Sequence, residues 1–207
     1  MKLLDNSANI VISPPLAGTS QFLYLSLKES LKSKIPVLII LTDKSPEDFK
    51  KDLLKNKMFI GANEAQENLM FVDCYSRNTG GDVKDSNSIK RVSGPLAMNE
   101  ISIAVSEAER KFIKKSEKHL VILDSLSTLL MYSNPQAVGR FIQVLIAKIR
   151  QAGGSVIFTL EEGMHDEKVM VTIEHLMNSI IHVKLSDGKV LVKASGISGF
   201  EDWTSPA

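Results

Sequence analysis

Five apolar runs without alternation limit what this chain can fold into: residues 8–12, 36–41, 69–74, 119–124 and 155–160. Each is short, and none shows the polar–apolar alternation of a strand with one wet face. Such runs belong to strands buried on both sides, the setting of a parallel sheet covered by helices. Between them the period changes. Phe22, Leu25 and Leu27, then Phe49, Leu53 and Leu54, then Ile101, Ala104, Val105, Ala108 and Phe112 fall at helical spacing. A longer stripe, Val138, Phe141, Ile142, Leu145, Ile146 and Ile149, starts at Asn134-Pro135 and stops at Gly153-Gly154. Ser45-Pro46-Glu47-Asp48 predicts a further helix start, with Ser45 as N-cap, Pro46 in the first turn and Asp48 closing a capping box. A short helix at 171–177 leads to two runs, 180–185 and 189–193, joined by the hairpin signal Asp187-Gly188. The expected fold is α/β, with a mostly parallel central sheet, helices on both faces and a C-terminal β-hairpin. The strands at 8–12 and 119–124 are expected in its interior.

At 207 residues the chain reads as one domain, 1–207, ending in a tail at 199–207. The formal net charge is only +1, so no bulk field favours nucleic acid or an anionic membrane. The apolar runs are too short to span a bilayer, and Met1-Lys2-Leu3-Leu4 meets Asp5 before a signal-peptide core can form. Cys74, the sole cysteine, has no internal partner, and the chain is expected to be cytoplasmic. Residues 77–95 read as a long polar loop. Lys50, Lys51, Lys55 and Lys57 read as a solvated helix face, and Trp203 as either a docking anchor or a packed end.

Ligands on parallel sheets bind at the carboxyl ends of the strands, and the polar residues of this chain gather there. The first strand runs into Ser13-Pro14-Pro15-Leu16-Ala17-Gly18-Thr19-Ser20 and then a helix, the layout of a phosphate-binding loop. Against G-x-x-x-x-G-K-[ST], Ser13 replaces the first glycine, Gly18 is the second, Thr19 replaces the lysine and Ser20 keeps the hydroxyl. Two N–H donors are lost at Pro14-Pro15. Asp124 ends the fourth run, and two readings stand for it: a metal-shell carboxylate, or a structural acceptor. Asp43-Lys44 and Glu161-Glu162 stand at two further strand ends. The cluster Glu161, Glu162, His165, Asp166 and Glu167 fits no strong metal spacing and reads as a solvated loop.

With these stretches the chain resembles the RecA/RadA/KaiC superfamily of P-loop ATPases, and within it the archaeal KaiC-like proteins. The resemblance rests on residues 37–53, on Phe71-Val-Asp-Cys-Tyr-Ser76, on Leu120-Val-Ile-Leu-Asp-Ser-Leu-Ser-Thr-Leu129, on 158–167 and on Val190-Leu-Val-Lys-Ala-Ser-Gly196. It implies a RecA-like core that binds ATP and magnesium and assembles with neighbours. Residue by residue it places nucleotide on Ser13, Gly18, Thr19, Ser20, Asp124 and Lys193, and magnesium on Ser20 and Asp124. Asp43 and Glu162 are the candidate catalytic carboxylates. Three of the family's charged groups are replaced: its phosphate lysine by Thr19, its catalytic glutamate by Asp43-Lys44, and its closing arginine by Ser195. Because charge stabilisation dominates phosphoryl transfer, ATP and magnesium are expected to bind weakly or not at all. The expected role is that of a non-hydrolysing regulatory or scaffolding protein, working by self-association or through a protein partner. The alternative is an atypical active ATPase in signalling or DNA recombination and repair.

Overall fold

The computed structural model describes residues 7–15 and 18–206. Its elements are β1 (Ala8–Ser13), α1 (Thr19–Lys32), β2 (Val37–Leu41), α2 (Pro46–Lys55), α3 (Gly61–Ala65), β3 (Leu69–Asp73), β4 (Ile89–Arg91) and α4 (Met98–Phe112). Then follow β5 (His119–Asp124), α5 (Leu126–Tyr132), α6 (Pro135–Gln151), β6 (Gly154–Glu161), α7 (Glu167–Glu174), β7 (Ser179–Ser186) and β8 (Lys189–Ser195). The eight strands form one sheet in the order β4-β3-β2-β5-β6-β1-β7-β8. β1 to β7 pair in parallel, and β8 returns antiparallel along β7.

The five apolar runs become β1, β2, β3, β5 and β6, almost every residue of which is buried. β1 and β5 lie in the interior, as expected of strands without alternation. One face of the sheet packs against Phe22, Leu23 and Leu27 of α1 and Phe49 and Leu53 of α2. The opposite face packs against α4, α5, α6 and Ile173 of α7. α2 starts as the sequence implies: the Ser45 hydroxyl accepts from the Asp48 amide, with Pro46 in the first turn. Asn134 caps α6 in the same way, accepting from Gln136 and Ala137.

Several expectations need correction. The polar stretch 77–95 contains a strand, β4, so the sheet extends one strand beyond β3. α5 and α3 are additional helices, and α7 lies at Glu167–Glu174, ahead of the expected 171–177. The C-terminal hairpin forms as expected, from β7 and β8, and joins the main sheet because β7 pairs in parallel with β1. The tail is packed: Phe200 lies against the core, Thr204 bridges to Val192, and the Lys184 ammonium sits 4.1 Å over the Trp203 ring. Among the described residues no helix is long and apolar enough to cross a membrane. The expected start of the chain, residues 1–6, and the loop residues 16 and 17 lie outside the described part.

Candidate functional site

β1, β6, β5 and β2 are neighbours in the sheet, so their carboxyl ends converge. There they enclose a cavity of about 330 Å³. Its walls are Gly18, Thr19, Ser20 and Gln21 from the start of α1, Asp43 and Lys44 after β2, Asp124 and Ser125 after β5, and Thr159, Leu160 and Glu161 of β6. The first turn of α1 carries no acidic residue, so its free N–H groups and dipole present partial positive charge. Gly18 adopts φ 87°, a left-handed conformation that only glycine takes at low cost.

The groups nearest to where a ligand would sit are engaged with one another. The Ser13 hydroxyl is fully buried and hydrogen-bonded to the Thr19 hydroxyl, so the residue in the lysine position closes the loop on its own strand. Burial, then the charges of Asp52 and Asp124, raise the Tyr24 phenol pKa, and the Ser20 hydroxyl nearby opposes that rise. The Asp124 carboxylate accepts from the Thr159 hydroxyl at 2.7 Å and faces the Lys44 ammonium at 3.9 Å. Thr42 holds the following peptide: its hydroxyl accepts from the Ser125 amide at 2.8 Å and donates to the Ser125 carbonyl at 2.9 Å. The Asp124–Ser125 bond itself is cis.

Asp43 stands at the open rim, yet its carboxyl is pushed up to about 6. The main cause is loss of surrounding solvent, followed by the Asp124 charge; Lys44 opposes both, and Glu161 adds a smaller push in the same direction. Three carboxylates thus face one ammonium in this cavity. A triphosphate would add negative charge to a site that is already net negative. Asp124 has one oxygen on a hydroxyl and the other beside an ammonium, and Thr19 is bonded to Ser13. The residues therefore do not fit a magnesium–triphosphate site as they stand. Among the described residues no three His, Cys, Asp or Glu side chains are placed to hold a metal ion, including the stretch 161–167.

Of the residues singled out in the sequence, Gly18, Thr19, Ser20, Asp43 and Asp124 meet at this cavity. Ser13 lies directly beneath, bonded to Thr19. Glu162 does not take part: it is exposed in the turn after β6, its amide donating to the Ser13 carbonyl, and Glu161 is the carboxylate in the wall. Lys193 is exposed on β8, outside this cavity. Thr159 and Thr42 also take part, and their signal in the sequence is their place at strand ends. Cys74 is fully buried, and burial, then Asp73 and Glu100, push its thiol pKa up, which leaves it inert.

A family model described as a family of unknown function (DUF7504) matches residues 34–183, well over half of the chain. The chain belongs to the DUF7504 family. The matched stretch holds Asp43, Lys44, Asp124 and Glu161 of this DUF7504 member but begins after α1, so the loop at Ser13–Ser20 lies outside it. No curated protein matches the sequence. Among solved structures, the uncharacterized protein PH0321 from Pyrococcus horikoshii, crystallised in complex with an unknown peptide, is similar in fold. It aligns with a TM-score of 0.69 at 14% identity, covering 93% of this chain and 84% of that one.

Proposed function

We propose that this DUF7504 member is a RecA-like protein of KaiC/RadA type that has kept the nucleotide-site scaffold, lost its chemistry, and works as a regulatory or scaffolding partner of other proteins. The observation that carries this reading is the closure of the site on itself. Thr19 is bonded to Ser13, Asp124 to Thr159, and Lys44 is held beside Asp124. Opening these contacts for a phosphate costs the hydrogen bonds they now make, and the remaining carboxylates repel the incoming charge. The strand–loop–helix layout and the Asp124 strand end support the RecA-like part. The protein-interaction part draws support from the similar fold of PH0321, whose structure contains a peptide.

Calorimetric titration with ATP and magnesium, together with phosphate release, tests the reading. No turnover above background is expected. Turnover that disappears in Asp124→Ala would overturn it in favour of an atypical ATPase.

A further inference from the structure

On the outward side of α1, a groove of about 630 Å³ separates the helix from the connection between α2 and α3. Tyr24, Leu25, Leu31, Met58, Phe59 and Val190 supply its apolar surface, and Phe59 is 79% exposed. Lys28, Lys32 and Lys57 stand along it, and no Asp or Glu lines it. None of these three lysines forms an ion pair among the described residues. Lys50, Lys51 and Lys55, by contrast, are neutralised by Glu64, Asp48 and Asp52. The whole chain carries a net charge of only +1, so this concentration of unpaired ammonium groups is local.

We propose that this groove docks an acidic amphipathic segment of a partner protein, whose apolar side chains cover Phe59, Met58 and Leu31 while its carboxylates meet Lys28, Lys32 and Lys57. The proposal rests on the protein-interaction reading above, and not on the state of the Asp124 cavity. A single exposed Phe is ordinary; an apolar trough rimmed by cations of one sign is the anatomy of an interface. The α1 wall is firmly seated, because its inner face is anchored by buried Phe22, Leu23 and Leu27, so little ordering of that wall is needed on docking. Met58 adds an adaptable contact.

The same features disfavour other macromolecules. Electrostatic membrane attachment draws on clusters of roughly four to eight basic residues, more than stand along this concave site. The lining has no arginine, and its three lysines make a short track for a nucleic-acid backbone.

Fluorescence anisotropy with a labelled helical peptide, Leu and Phe along one face and Glu beside them, provides the test. A version with Lys in place of Glu is the control. The full chain should bind the acidic peptide at least about ten-fold more tightly than the basic one, the scale of one contact to a charged group. Phe59→Ser and the pair Lys28→Glu with Lys57→Glu should each weaken binding by about ten-fold or more on the same scale. These side chains are exposed, so the thermal midpoint should stay in place. Amide shifts in the wild-type protein should map to α1 and residues 56–59. Equal affinity for both peptides, shifts elsewhere, or indifference to both variants would overturn the proposal. So would preferential binding of phosphatidylserine vesicles or oligothymidylate, or a second copy of this chain occupying the groove. ATP turnover would instead overturn the lost-chemistry reading and leave the groove result where it stands.

Discussion

A methyl group added at Gly18 would stand 2.9 Å from Cγ1 of Val183, on a backbone with φ +87°. The Gly18→Ala variant therefore meets both a left-handed backbone and a side chain of β7. A loss of about 1–3 kcal/mol is expected in chemical denaturation, the usual cost of a residue held in such a conformation. Asp43 acts in the opposite sense. Its folded pKa is about 6, above the ordinary aspartate value of 3.8, so the folded state binds its proton more tightly than the unfolded state does. Stability should consequently fall as pH rises from about 4 to about 6 and stay at the lower level above that. Asp43→Asn should remove this slope and stabilise the protein at pH 7. Because the residue stands at an open rim, solvent screening limits the gain to about 1 kcal/mol or less. Thermal melts of both proteins across that pH range would measure it, and an unchanged slope in Asp43→Asn would assign the pH dependence to other groups.

At the scale of elements, the least legible strand is held by a side chain with several distant partners. Arg91 of β4 donates from Nε to Asp73 of β3 at 3.1 Å and from a terminal nitrogen to Glu47 of α2 at 2.6 Å. Asp73 is fully buried and also accepts from the Tyr75 and Ser76 amides. Arg91→Met removes the cation and leaves a buried carboxylate on two amides alone. A loss of about 3 kcal/mol is expected, the lower end for breaking a buried pair, and adding Asp73→Asn should recover much of it. Denaturation midpoints of the single and double variants would show whether the charge or the packing of Arg91 matters. This is also why β4 escaped the sequence: three residues, Ile89–Arg91, carry no period, and distant partners fix them in place. The interior strands were legible because continuous apolar runs have few other homes. α5 was not, because Leu126, Leu129 and Leu130 continue directly from a strand-end motif. The site was half legible. Gly18, Thr19 and Ser20 follow from local chain order, whereas the meeting of Lys44, Asp124 and Thr159 depends on strand order. Glu161 rather than Glu162 enters the wall because β6 ends at Glu161 and Glu162 already lies in the exposed turn beyond it.

For the molecule as a whole, the sheet ends in a strand that needs covering. β8 pairs with β7 on one side, and its other edge would expose a row of free amides and carbonyls, a template for further strands. The tail occupies that edge. Val192 and Thr204 exchange backbone hydrogen bonds of 2.8 and 2.9 Å, and the Ala194 amide donates to the Phe200 carbonyl at 2.7 Å. Phe200 is packed against the core, and Lys184 lies over Trp203, which keeps 40% of its surface exposed. The two aromatics therefore fasten the tail to its own sheet, and the surface left for a partner is chiefly the outer side of Trp203. Ending the chain after Ser198 should uncover the outer edge of β8 and part of the core beside Val192 and Ala194. The truncated protein is expected to associate more strongly with concentration than the full chain, visible in sedimentation velocity and light scattering. Trp203→Ala should reproduce only a small part of this, because the backbone bonds at Thr204 and Phe200 remain. If the truncated chain instead sediments as the full-length protein does, with no added association, the tail is not what keeps β8 from pairing. If truncation reduces association, the tail carries an interface instead of covering an edge.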